Sequence, residues 1–178
     1  TNSPFFSSHP AAIVLNIIQF INVPMMFMNE RKSAMPYSKF ASAFQGENKT
    51  AMIPSRQGML IIYAPAFFVA LLYVVLAASG TFSGYSAHLA SLMTMVHFLK
   101  RTLETLFVHK YSGSTVLLAA QTIGFAYAIQ TAMICVSASS FPSQTCIEIG
   151  SILFTVGVLG NLYHHYLLAC LRNSNKSG

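Results

Sequence analysis

Five stretches of this chain are long enough and apolar enough to cross a bilayer, and that removes most folds from consideration. They run Ala11 to Met28, Gly58 to Ser79, Tyr85 to Val108, Gly113 to Ser137 and Ile147 to Leu171. Of the 178 residues 54% are hydrophobic and only 8% charged, with mean hydropathy +0.56. A soluble domain carries about 25% charged residues. The expected fold is all-α: a polytopic membrane helix bundle of about five transmembrane helices, with residues 1–178 forming a single transmembrane domain.

Charge placement leads to the same count. Arg31, Lys32, Lys39, Lys49 and Arg56 fall between spans one and two. Lys100, Arg101 and Lys110 crowd the end of span three, and Arg172 and Lys176 follow span five. The N-terminal tail and the connections 80–84 and 138–146 carry no Lys or Arg. The positive-inside rule makes the basic side cytoplasmic, with a lumenal N-terminus and a cytoplasmic C-terminus. The net charge of +6 is therefore mostly topology and calls for no nucleic acid, although a basic rim also attracts anionic headgroups or a phosphate-bearing ligand.

The stretch HFLKRTLETLFVHKYSG, 97–113, puts ionisable groups inside span three. Each costs about 2.5 to 3.5 kcal/mol at the centre of a membrane helix, so such groups normally face a bundle interior or a polar cavity. On an α-helix Arg101 lies about 40°, Glu104 about 20° and Lys100 about 60° from His97 around the axis, so the four share one face. Leu92, Met95, Val96, Leu99, Leu103 and Leu106 collect on the other, a lipid or packing side. Arg101 and Lys100 stand i,i+3 and i,i+4 from Glu104, which offsets part of the cost of burial. A helix end whose cations snorkel to the headgroups accounts for the two cations, but not for a carboxylate and an imidazole on the same stripe.

Span five repeats the arrangement in GNLYHHYLLACLR, 160–172. Asn161, His165 and Arg172 fall within an arc of about 40°, with His164 beside it. Amide, imidazole and planar guanidinium together suit a nucleotide at the cytoplasmic edge of a bundle. An ordinary interfacial belt of Tyr and His fits the same residues. Asn16, Gln19 and Asn22 form a ridge in span one suited to bonding neighbouring helices. Gln121, Tyr127 and Gln130 are spread around span four and mark no common site.

Several chemistries find no support. Three cysteines, Cys135, Cys146 and Cys170, lack the spacing of a disulfide framework or zinc site. Six scattered histidines do not form the boxes of a membrane di-iron enzyme, and no metal ligands are assigned. There is no Walker A or post-strand GxGxxG sequence, so a nucleotide would sit in a helical membrane pocket. The chain has no Asp, which removes Asp-based triads.

HFLKRTLETLFVHKYSG resembles the steroid 5-alpha-reductase family, closest to its plant-type members and the very-long-chain enoyl-CoA reductases. These share a His-aromatic-x-x-Arg start and an E-T-x-F-V-H-[RK]-[YF]-S continuation. YSKF at 37–40, IPSRQGMLIIYAPAF at 53–67 and GNLYHHYLLACLR at 160–172 agree as well, so the resemblance covers roughly residues 30–172. It implies an endoplasmic reticulum enzyme that uses NADPH to reduce a carbon-carbon double bond conjugated to a carbonyl in a lipophilic substrate. Steroid, polyprenol and enoyl-CoA substrates all remain open. Carried over by position, His97, Arg101 and Glu104 match the motif helix beside the substrate and nicotinamide. Asn161, His165 and Arg172 match the segment that contacts the nucleotide, and Lys110 matches a basic position near its phosphates.

Two departures qualify the match. The Tyr and Glu that hold a steroid ketone in the family correspond to Phe98 and Met52, which leaves Tyr63 or Tyr111 as substitute donors. The family also continues past the position of Gly178 through further segments that complete the cofactor pocket, so the chain reads as C-terminally truncated, with weak or no cofactor binding expected. The alternative is a non-catalytic membrane protein that binds lipid or associates with other membrane enzymes of lipid synthesis.

Overall fold

The computed structural model describes residues 10–32, 51–81, 84–111, 113–138 and 144–174. The side chains of Asn16, Gln19, Asn22 and Arg172, and the YSKF segment, lie outside the described residues. Each apolar stretch carries a helix: α1 (Pro10–Lys32), α2 (Ser55–Ala78), α3 (Tyr85–Leu103), α4 (Leu117–Ala138) and α5 (Gln144–Ser174). Among the described residues, α2, α4 and Gln144–Leu171 of α5 are long and apolar enough to cross a membrane. Helix α1, whose side chains are described only in part, is not among these three, and neither is α3. In α3 the polar groups of His88, His97, Lys100 and Arg101 dilute a run of 19 residues.

The core lies between α2 and α4, and small side chains create it. Ala66, Ala70 and Ala120 are fully buried, and Ile62 and Tyr63 pack beside them. A Cβ on Gly124 would stand 2.4 Å from the Ile61 carbonyl oxygen, so glycine is what lets the two backbones touch. Close approach over small residues is the usual way membrane helices associate, because lipid supplies no hydrophobic force to drive them together. Helix α3 packs on α2 and α4, and α1 lies against α4.

Two features depart from an all-α reading. The first is a pair of three-residue antiparallel strands, β1 (Met52–Pro54) and β2 (Ser114–Val116), with Met52 opposite Val116. The Ser55 N–H donates to the Gly113 carbonyl at 3.2 Å and the Leu117 N–H to the Ala51 carbonyl at 2.9 Å. Span four therefore becomes helical only at Leu117, after Gly113 turns the chain with φ of 88°. This clip ties the starts of α2 and α4 at the basic end, so the two helices leave it together, while α3 returns to it.

The second feature is that Glu104–Val108 continues α3 as a π-helical turn. The wider turn brings the Leu106 carbonyl to Arg56, which donates to it from the start of α2. The turn closes where the His109 N–H donates to the Glu104 carbonyl at 2.8 Å and the backbone becomes extended. Such turns commonly mark functional sites. The outward face of α3 carries Leu92, Val96, Leu99 and Leu103, all exposed, as its apolar stripe requires.

Candidate functional site

The polar stripe of α3 faces inward and meets α5. Glu104 is 2% exposed, which without partners would be prohibitive for a carboxylate. Both neighbouring cations answer it. Arg101 Nη1 donates to Glu104 Oε2 at 2.9 Å, and Lys100 Nζ lies 3.0 Å from Oε1, close enough for an ion pair though misaligned for a hydrogen bond.

Arg101 is the hub. Its Nη2 donates to the Tyr63 hydroxyl at 2.5 Å, its guanidinium carbon sits 4.6 Å from the Tyr63 ring centroid, and its Nη1 also reaches His165 Nε2 at 2.7 Å. A guanidinium only donates, so His165 accepts at Nε2 and carries its proton on Nδ1. That Nδ1 is buried and has no hydrogen-bond partner among the described residues. Lys100 Nζ donates to Asn161 Oδ1 at 2.6 Å. The stripes of α3 and α5 thus meet through two polar contacts, and His109 stacks edge-on against His165 with ring centroids 4.5 Å apart.

Beneath this cluster a cavity of about 790 Å³ opens between α3, α4 and α5. Arg101, Tyr63, His97 and Asn161 stand at one end, and the remaining walls are largely apolar. His97 also packs edge-on against Phe98, and Phe98 and Tyr63 both contact the Tyr127 ring.

Of the residues singled out in the sequence, His97, Arg101, Glu104, Asn161 and His165 come together, and Lys100 joins them. Lys110 is exposed just beyond the π turn. Arg172 is known by its backbone alone, seven residues past His165 on α5. Phe98 lines the cavity, whereas Met52 lies in β1.

Of the two substitute donors, Tyr63 lines the cavity. The Tyr111 hydroxyl instead reaches Thr105 at 3.4 Å; burial raises that phenol above its ordinary value, with the Thr105 hydrogen bond acting against the rise. Of Gln121, Tyr127 and Gln130, expected to mark no common site, Tyr127 and Gln130 both line the cavity. They stand i,i+3, about 60° apart on a helix, and that spacing was the available signal.

Sequence spacing also gave no sign that Glu104, His109 and His165 bring potential ligand atoms within 4.8 Å of one another. Lys100 and Arg101 both engage the carboxylate, so the cluster holds surplus positive charge and suits an anion better than a divalent cation. Comparison of the chain with family models, with curated proteins and with solved structures gives no match.

Proposed function

We propose that the protein is an NADPH-dependent reductase of a carbon-carbon double bond conjugated to a carbonyl, acting on a lipophilic substrate in lipid or steroid metabolism. The observation that carries this reading is Arg101, a guanidinium fixed by buried Glu104 at the polar end of an apolar cavity with the Tyr63 hydroxyl 2.5 Å away. The resemblance of 97–113 to the steroid 5-alpha-reductase family supports it.

The Tyr63 oxygen accepts from a cation, which strengthens its O–H as a donor toward a substrate carbonyl. Arg101 supplies positive charge where negative charge develops on that oxygen. His97, on the same stripe, is the group this reading assigns to protonating the α carbon. NADPH, when bound, supplies hydride to the β carbon. Lys110, Asn161, His165 and Arg172 would hold it. The fit rests on the surplus positive charge of the cluster and on the unpartnered N–H at His165 Nδ1, both suited to an anionic, hydrogen-bonding group.

On this reading α1 and α3 also cross the membrane, giving five spans. The basic ends lie in the cytoplasm, the N-terminus in the lumen and the compartment is the endoplasmic reticulum. A second reading, a non-catalytic lipid-binding or enzyme-associating protein, draws on α5: none of its described side chains is buried, and Ile149, Ile152, Val156 and Leu159 face outward.

Titrating NADPH onto the detergent-solubilised protein separates the two. Saturable binding that weakens on replacing His165 with Ala supports the reductase. No binding by a folded protein even at high NADPH concentration, where the weak binding expected from the sequence would register, supports the second reading.

A further inference from the structure

Two consecutive residues at the start of α2 grip both ends of the connection that leaves α3. Arg56 donates to the Leu106 carbonyl, and the Ser55 N–H donates to the Gly113 carbonyl at 3.2 Å. Between those two points the chain carries His109, which joins the polar cluster at His165.

The π turn decides which way His109 faces. His109 is the fifth residue after Glu104, and in an α-helix five residues carry a side chain round by about 140°. His109 would then turn away from Glu104. Instead its N–H closes onto the Glu104 carbonyl at 2.8 Å, an i→i+5 bond that brings residue 109 back above residue 104. The His109 ring consequently meets His165, with centroids 4.5 Å apart, and also packs edge-on against Tyr111.

Such a turn needs an outside partner. The backbone becomes extended at His109, so the carbonyls of the last helical turn have no following turn of amides to bond them. For Leu106 the guanidinium of Arg56 takes that place, and a charged donor makes a stronger bond than a neutral one. Arg56 is exposed and is not among the residues that line the cavity. Its influence on the site therefore passes through the turn.

We propose that Arg56 is a positioning residue: it locks Glu104–Val108 in the π form, which holds His109 against His165 and so fixes the ring that accepts from Arg101 Nη1. The contacts run from Arg56 to Leu106, from Glu104 to His109, from His109 to His165 and from His165 to Arg101. For the chemistry of the cluster the inference rests on the proposed reductase reading; for the placement of His109 it rests on the fold alone.

The two parts are tested separately. Placement is read in the whole chain with Cys146→Ser and Cys170→Ser, the buried Cys135 being left in place. Thiols introduced by His109→Cys and His165→Cys are treated with dibromobimane, which fluoresces on bridging two neighbouring thiols. Bridging is efficient with Arg56, is kept by Arg56→Lys, which retains a charged donor, and falls several-fold with Arg56→Met. A control pair, Ser86→Cys with Ala138→Cys, sits where α3 meets the end of α4 and bridges equally in all three backgrounds. Undiminished bridging of 109 to 165 in Arg56→Met overturns the proposal. Loss at both pairs makes Arg56 a general support of the fold and overturns it as well.

The consequence is read with the native histidines. Arg56→Met lowers kcat for an unsaturated carbonyl lipid by about 10- to 100-fold, Arg56→Lys recovers most of it, and His109→Ala gives the same loss with no further loss in the Arg56→Met background. Losses that multiply in the double variant mean that Arg56 acts by another route and refute the proposal. A folded wild-type protein without turnover refutes the reductase reading instead, and the bimane result then decides the placement of His109 by itself.

Discussion

Removing the Arg101 guanidinium strands three groups at once: the Glu104 carboxylate, His165 Nε2 and the Tyr63 hydroxyl. Breaking a buried ion pair by deleting one partner costs about 3 to 5 kcal/mol, because the remaining charge stays buried. Two features lower the figure here. Lys100 remains 3.0 Å from Glu104, and polar partners in membrane proteins are measured at about 0.6 kcal/mol on average and about 1.7 at most, since the unfolded helices find substitutes.

We therefore expect Arg101→Met to destabilise by about 3 kcal/mol. Glu104→Gln, which keeps an acceptor for Arg101, should cost about 1 kcal/mol. In the double variant the stranded carboxylate is gone, so the loss should fall short of the sum by about 1 to 2 kcal/mol. The assay is reversible unfolding in mixed micelles, followed by circular dichroism across the four proteins of the cycle. Additivity within about 0.5 kcal/mol would mean that the two side chains do not interact in the folded bundle, and the site described around them would be wrong.

Other substitutions probe other links. Gly124→Ala forces a methyl to 2.4 Å from the Ile61 carbonyl and should cost about 1 to 3 kcal/mol. Gly157→Ala, with open space around it, should leave the melting temperature unchanged or raised; equal effects of the two changes would contradict the close contact of α2 with α4. Tyr63→Phe should lower turnover of an unsaturated carbonyl lipid by about 10²- to 10³-fold with little change in melting temperature, and wild-type rates would remove Tyr63 from the chemistry. Asn161→Ala with His165→Ala removes the Lys100–Asn161 and Arg101–His165 contacts between α5 and α3. Amide exchange should then rise in α5 and not in α2 or α4, and unchanged exchange would mean that α5 is held by something else.

The helices were legible because their signal is local. Runs of apolar residues gave their places but not their ends, since α4 starts at Leu117 and α5 runs from Gln144 to Ser174, and the i, i+3, i+4 pattern in span three gave the inward face of Arg101 and Glu104 and the outward face of Leu92 and Leu103. The strand clip was not legible, since three residues such as Ser114 to Val116 carry no periodicity and their pairing with Met52 to Pro54 is set by tertiary contact. The π turn was hidden too, because an extra residue per turn is decided by the partners of the freed carbonyls, here Arg56 on Leu106. The stripes of α3 and α5 could each be drawn from the sequence, but their meeting through Arg101 and His165 depends on helix placement. Tyr63 is a candidate donor by residue type, and its place beside Arg101 comes from α2 packing on α3.

If the proposed function is right, the Arg101 cluster at the head of the apolar cavity performs reduction. Its most direct test incubates the purified protein with a long-chain 2-enal and NADPH deuterated at the transferable hydride, then locates the label in the product by mass spectrometry. One deuterium is expected at the β carbon of a saturated product, and none in the Arg101→Leu protein even though it inserts into membranes normally. Unreduced enal recovered from a folded wild-type protein, or undiminished labelling in the Arg101→Leu protein, would contradict it.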